Sequence, residues 1–158
     1  MHRYQAQIEW QRGTAVFTDN RYSRGHTWSF DGGIVVPASS SPLVVPGASV
    51  AAAVDPEEAL VASAASCHML WFLSLAAKRG FVVERYTDQA FGEMAKNSAG
   101  RIAFSRITLR PAITFAAGAE PSPAELADLH HAAHDECYIA NSLKAEVVVE
   151  EPATEARR

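Results

Sequence analysis

The stretch Asp55-Pro-Glu-Glu-Ala-Leu-Val-Ala-Ser-Ala-Ala-Ser-Cys-His-Met-Leu-Trp-Phe-Leu-Ser-Leu-Ala-Ala-Lys-Arg-Gly80 decides how the rest of the chain is read. It predicts one long helix over 55–80. Asp55 suits the N-cap, Pro56 the first helical position, and Glu57 and Glu58 the positive end of the helix dipole. Lys78 and Arg79 fall in the last turn, where Gly80 can end the helix. The segment is apolar almost all round, which predicts a central, buried helix. Its length also approaches that of a membrane span. Ser63, Ser66, His68 and Ser74 are poor lipid-facing residues, however, so the expectation is a soluble core helix and no membrane. A thiol, Cys67, and an imidazole, His68, sit in its middle.

On either side the pattern changes to that of strands. Tyr4, Ala6, Ile8 and Trp10 alternate with polar residues, Thr27 to Phe30 is a second candidate strand, and Asp31-Gly-Gly33 is a turn, so strands are expected within 3–36. Residues 37–54, rich in Pro, Ser, Ala and Gly, predict an exposed loop. Strands are expected again over 82–115. Ile107, Leu109, Ile113 and Phe115 face one way there, and Arg106, Thr108 and Arg110 the other. Ser122-Pro-Ala-Glu125 forms a capping box that opens a second helix over 122–136. A last strand is expected over 145–150, with a frayed tail beyond. Helices between strand groups, without regular βαβ alternation, give an α+β class and one domain over 1–158.

Composition narrows the function. The chain has 158 residues, 48% of them apolar, and a net charge of -4. Neither nucleic acid nor an anionic membrane is an expected partner, since both call for a basic surface. The N-terminal MHRYQAQIEW lacks the apolar run of a secretory signal. With two cysteines in the chain, this predicts a cytoplasmic setting with reduced thiols.

A reactive Cys67 faces two obstacles. Burial raises a thiol pKa, and the helix dipole fades beyond the first turn, while Cys67 lies about three turns in. His68 projects about 100° away around the helix and should not touch the sulfur. A cation must therefore come from elsewhere, and Arg21-Tyr-Ser-Arg24-Gly-His26 offers two arginines. The plain alternative is inert core packing, since free cysteine is among the most buried residue types.

Asp55-Pro-Glu-Glu-Ala-Leu…Ala-Ser-Cys67-His-Met, followed by His134-Asp-Glu-Cys137-Tyr-Ile-Ala-Asn-Ser-Leu143, resembles the OsmC/Ohr family of osmotically inducible and organic hydroperoxide resistance proteins. The resemblance runs from Trp10 to Val149 and looks closest to a branch with Cys-His at the active cysteine. It implies an OsmC-like fold, with antiparallel sheets around the long helix, in an intertwined homodimer with active sites at the subunit interface. It also implies a thiol peroxidase that needs no cofactor, acts on organic hydroperoxides and is recycled by a dithiol such as a lipoylated protein. Cys67 matches the peroxidatic cysteine, Cys137 the resolving one, and Glu57 the glutamate that orients an arginine. Arg24 is the first choice for that arginine and Arg21 the second. His68 stands where well-characterised members carry an aromatic residue.

Thiolate attack on an O–O bond gives a sulfenic acid, which a second thiol converts to a disulfide. A fixed guanidinium stabilises the charges involved. Leu60, Leu70 and Trp71 lie near the Cys67 face and could receive an organic tail, or simply pack in the core. Glu57 and Cys67 are ten residues apart, about 15 Å along a helix. Either a long arginine bridges much of that distance, or Glu57 serves the Cys67 of a partner chain. Two alternatives to the peroxidase remain. His130, His134 and Cys137, at i, i+4 and i+7, could form a zinc-binding module. The chain could also be a non-catalytic dimeric domain with inert thiols.

Overall fold

The computed structural model describes residues 2–150, so the expected frayed tail, 151–158, lies outside the described residues. The chain divides into two compact units, Met1–Leu60 and Val61–Arg158, with the division inside the first helix.

In the first unit, strands β1 (Ala6–Glu9), β2 (His26–Phe30) and β3 (Val35–Ala38) form an antiparallel sheet in the order β1-β2-β3. The β2–β3 turn closes on Gly33, whose φ of +83° favours glycine, with the Gly33 N–H donating to Phe30 O at 3.0 Å. Part of the loop expected over 37–54 is strand. Pro37 pairs with Thr27 inside β3, which is tolerated because β3 is an edge strand. The rest is not simply exposed, because Ala38, Ser39 and Ser41 are buried. The chain folds back on itself there: the Ser39 N–H donates to Val54 O and the Val54 N–H to Pro37 O.

Helix α1 (Pro56–Lys78) starts and stops as its sequence predicts. The Glu58 N–H donates to Asp55 Oδ1 at 2.7 Å, and Glu58 Oε2 accepts from the Asp55 N–H at 3.3 Å, a reciprocal cap. At the far end the Phe81 N–H donates to Ala76 O and the Gly80 N–H to Ala77 O, a Schellman closure around Gly80 at φ +83°.

In the second unit, α2 (Pro123–Glu136) begins with the predicted capping box between Ser122 and Glu125. Strands β4 (Val83–Asp88) and β7 (Pro111–Phe115) pair antiparallel. Strands β5 (Phe91–Lys96), β6 (Ile102–Leu109) and β8 (Glu146–Val149) form a three-stranded sheet; β5 and β6 are antiparallel, whereas β6 and β8 are parallel. Thr108, on the face opposite Ile107 and Leu109, is buried as well, because β6 is the middle strand and Phe91 and Val148 flank Thr108 across the ladders. Gly92 on β5 leaves room for the Phe104 ring and for Val61 of α1, with which a Cβ would collide.

The fully buried residues of α1 form one stripe at helical spacing, Ala64, His68, Phe72 and Ala76. Phe72 and Ala76 pack with Leu129 and Ala133 of α2 to make the core of this unit. The expectation of burial on every face is thus met on one stripe only. Leu70, on another face, is 62% exposed. By length and composition alone α1 is long and apolar enough to cross a membrane. Its buried stripe against α2 is the signature of a core helix.

Candidate active site

The second unit brings its two cysteines together. Cys67 is half-buried in mid-α1, and Cys137, 1% exposed, caps the C-terminus of α2 by donating its N–H to His134 O at 3.1 Å. Both thiols are free, and Cys67 is near enough to Cys137 to perturb its thiol. Burial pushes the Cys137 thiol up. The Ala140 N–H, donating to its Sγ at 3.4 Å, works against this, while the neighbouring Cys67 sulfur pushes it up further. The turn after Cys137 is fixed by Asn141, whose side-chain N–H group donates to Asp135 O at 2.8 Å and Cys137 O at 3.1 Å. Trp71, one turn past Cys67, meets the edge of Tyr138, the residue after Cys137, with centroids 5.6 Å apart and planes at 90°. An aromatic pair therefore flanks the thiols.

The other two predicted residues belong to the first unit. Arg24 is half-buried just before β2. Its guanidinium lies 3.7 Å over the Tyr22 ring and donates to Tyr22 O at 2.8 Å and to Asn20 O and Oδ1 at 3.2 and 2.8 Å. It lines a cavity of about 460 Å³ with Trp10, Phe17, Tyr22 and His26. Arg21 is exposed. Glu57 is half-buried in the first turn of α1, beside the capping residue Glu58.

The role of His68 was not legible in the sequence. As expected, it turns away from the sulfur. It is 1% exposed and meets His130 of α2, with 3.1 Å between His68 Nε2 and His130 Nδ1. The ring planes are 9° apart and the centroids 5.4 Å apart. The nitrogens are far closer than the ring centres, so the rings meet edge to edge, nearly in one plane, and are not stacked face to face. Burial, followed by the charges His130 and His134 would carry, lowers the His68 pKa from 6.5 to about 4; burial lowers that of His130 to about 4 as well. Both rings are therefore neutral near pH 7. No signal along the sequence joins positions 68 and 130.

The zinc alternative finds no site. Among the described residues no group of three His, Cys, Asp or Glu side chains is arranged to hold a metal. His130 Nδ1 is engaged by His68, and His131 pairs with Asp135 at 3.5 Å. Leu70 is exposed, and Leu60 and Trp71 are half-buried.

Comparison with known proteins bears on the family and the fold. A family model described as OsmC-like protein matches residues 48–151. The structure of an OsmC-like protein of unknown function from Vibrio cholerae is 50% identical, with a TM-score of 0.94; the match covers 96% of this chain and 100% of that one. An organic hydroperoxide resistance protein from Legionella pneumophila is 15% identical, with a TM-score of 0.67 over 96% of both chains. Another, from Bacillus subtilis, is 14% identical, with a TM-score of 0.68 over 96% of this chain and 98% of that one. These last two share the fold. No curated protein sequence matches the chain.

Proposed function

From the membership of this chain in the OsmC-like family, we propose that it is a thiol-dependent peroxidase that reduces organic hydroperoxides. The observation that carries the reading is the nearness of two free cysteines, Cys67 half-buried and Cys137 buried, from separate helices. Two proteins that share the fold are organic hydroperoxide resistance proteins, which supports the choice of substrate.

The asymmetry of the pair supports the division of roles. Cys137 is shielded and its thiol is pushed up, so it is the poorer first nucleophile. The more accessible Cys67 attacks the peroxide as its thiolate. An S–O bond forms, the O–O bond breaks, and the departing alkoxide takes a proton to leave as an alcohol, with Cys67 now a sulfenic acid. Cys137 then attacks the Cys67 sulfur. The S–S bond forms, and the hydroxyl leaves as water with the Cys137 proton. A dithiol, such as a lipoyl group, returns two electrons and two protons to the disulfide. Arg24, oriented by Glu57, supplies the positive charge that stabilises the thiolate and the leaving oxygen. The same proposal includes a homodimer, formed through α1.

The test is peroxide consumption with a dithiol as reductant. The native protein turns over and Cys67→Ser does not. Equal turnover by that variant, or none by the native protein with any organic hydroperoxide, overturns the reading and leaves a dimeric domain with inert thiols.

A further inference from the structure

We propose that the His68–His130 pair positions the thiol couple: its hydrogen bond seats α2 on α1 so that Cys137 faces Cys67. The inference rests on the reading of the two cysteines as a redox pair, and it assigns a task to two residues outside the thiol chemistry.

The two contacts tie the same elements. His68 follows Cys67 on α1, and His130 lies on the helix whose C-terminus Cys137 caps. The imidazole bond is 3.1 Å long and nearly coplanar, and the His130 ring also rests on Phe72 with centroids 4.6 Å apart. Sliding or turning α2 along α1 would break that bond, whereas Phe72 and Leu129 alone would tolerate some movement, because apolar contact has no direction. The ion pair Arg79–Asp128, which joins the residue after α1 to α2, is exposed and lies at the far end of α1. It is therefore a weak register.

Packing alone does not explain histidines here. His68 Nδ1 is buried without a hydrogen-bond partner, a cost that an aromatic hydrocarbon of similar size would avoid. The histidines add directionality. Both are neutral near pH 7, so one nitrogen of the bond carries a proton and the other accepts it. A sulfenic acid at Cys67 is resolved quickly only when the second sulfur is already beside it, a matter of effective concentration.

The test measures the Cys67–Cys137 disulfide equilibrium in glutathione buffers, scored by alkylation and mass, so that it needs no peroxide. Glutathione disulfide takes two electrons from the thiols and leaves as two glutathione thiols. His68→Phe fills the space without the bond. His68→Gln keeps an amide nitrogen near the position of Nε2 and can restore it. The expected result is a disulfide at least tenfold less favoured in His68→Phe, about 30 mV for this two-electron couple, with His68→Gln close to the native value. His130→Leu breaks the bond from the other helix and should match His68→Phe. It also serves if His68→Phe does not fold. A native equilibrium in His68→Phe or His130→Leu, or an equal loss in His68→Gln, overturns the proposal, since a general loss of stability acts on both redox forms alike. A disulfide that forms with glutathione disulfide but never with peroxide refutes the peroxidase reading and leaves the positioning role standing. If no disulfide forms in the native protein, both fall.

Discussion

Two buried polar clusters in this molecule contrast sharply. In the first unit, Ser39 and Ser41 are buried, and the hydroxyls around them are paired close by. Ser39 Oγ accepts from the Val50 N–H at 2.9 Å, Ser41 Oγ accepts from the Leu43 N–H at 3.3 Å, and Ser49 Oγ lies 2.7 Å from Val45 O and 2.8 Å from Ser40 Oγ. No hydroxyl bond in this cluster spans more than 11 residues. In the second unit, the His68–His130 bond spans 62 residues, leaves Nδ1 of His68 without a partner, and joins two groups that titrate. The first cluster closes a loop on itself. The second exists only when two helices have docked, so it is sensitive both to pH and to how those helices sit.

Acid should break the second cluster and spare the first. The two histidines have folded pKa values of about 4 against 6.5 for the free side chain. The unfolded chain therefore binds more protons between those values, and stability falls as pH drops from about 6.5 toward 4. The slope is bounded at about 1.4 kcal/mol per pH unit for each ring. Asp88, whose carboxyl is pushed up by burial, works in the opposite direction. Urea unfolding at pH 7 and pH 4.5 measures the sum, and the same pair of measurements on His68→Phe should show a smaller loss. An unchanged loss would show that the acid response comes from other groups.

Ser39→Ala sharpens the comparison from the other side. It leaves the Val50 N–H without its acceptor and should cost about 1–3 kcal/mol of stability, read as a lower denaturation midpoint. The rate and equilibrium of thiol oxidation should stay native, and a change in either would link the loop to the chemistry. The smallest effect is expected from Arg79→Ala. Its ion pair with Asp128 joins the same helices as the histidines, but the side chains are 37% and 63% exposed, and such pairs contribute roughly 0–1 kcal/mol. If this variant shifts the disulfide equilibrium as far as His68→Phe does, helix docking in general sets the thiol geometry, with no special part for the buried bond.

Local signals marked the helices well. The ends of α1 were legible because capping chemistry is written within four residues, Asp55 to Glu58 at one end and Lys78 to Gly80 at the other. The Ser122–Glu125 box did the same for α2. Strand β3 was obscured because Pro37 and the serines around it imitate a loop, and only pairing with β2 reveals the strand. The burial of Thr108 could not be read from the pattern, because alternation separates two faces without saying which of them is covered. At the site, Cys67 and Cys137 were legible through the resemblance of two motifs taken together. The spacing of Arg21 and Arg24 could not separate them. In the structure Arg24 is held by Tyr22 and Asn20, while Arg21 is exposed. The His68–His130 bond left no local trace, since helical periodicity places His68 on a face without saying what covers it.

The parallel pairing of β8 with β6 bears on how the protein is made. Residues 146–149 must emerge from the ribosome before the sheet that holds Ile107 and Leu109 is complete. At about 5–20 residues per second, the roughly seventy residues between the two cysteines take about 4–14 s to synthesise. On the proposed peroxidase mechanism, the nascent chain would present Cys67 throughout that interval without Cys137, and a sulfenic acid there would have no internal route to a disulfide. On that mechanism the newly made protein is open to over-oxidation in a way the finished one is not.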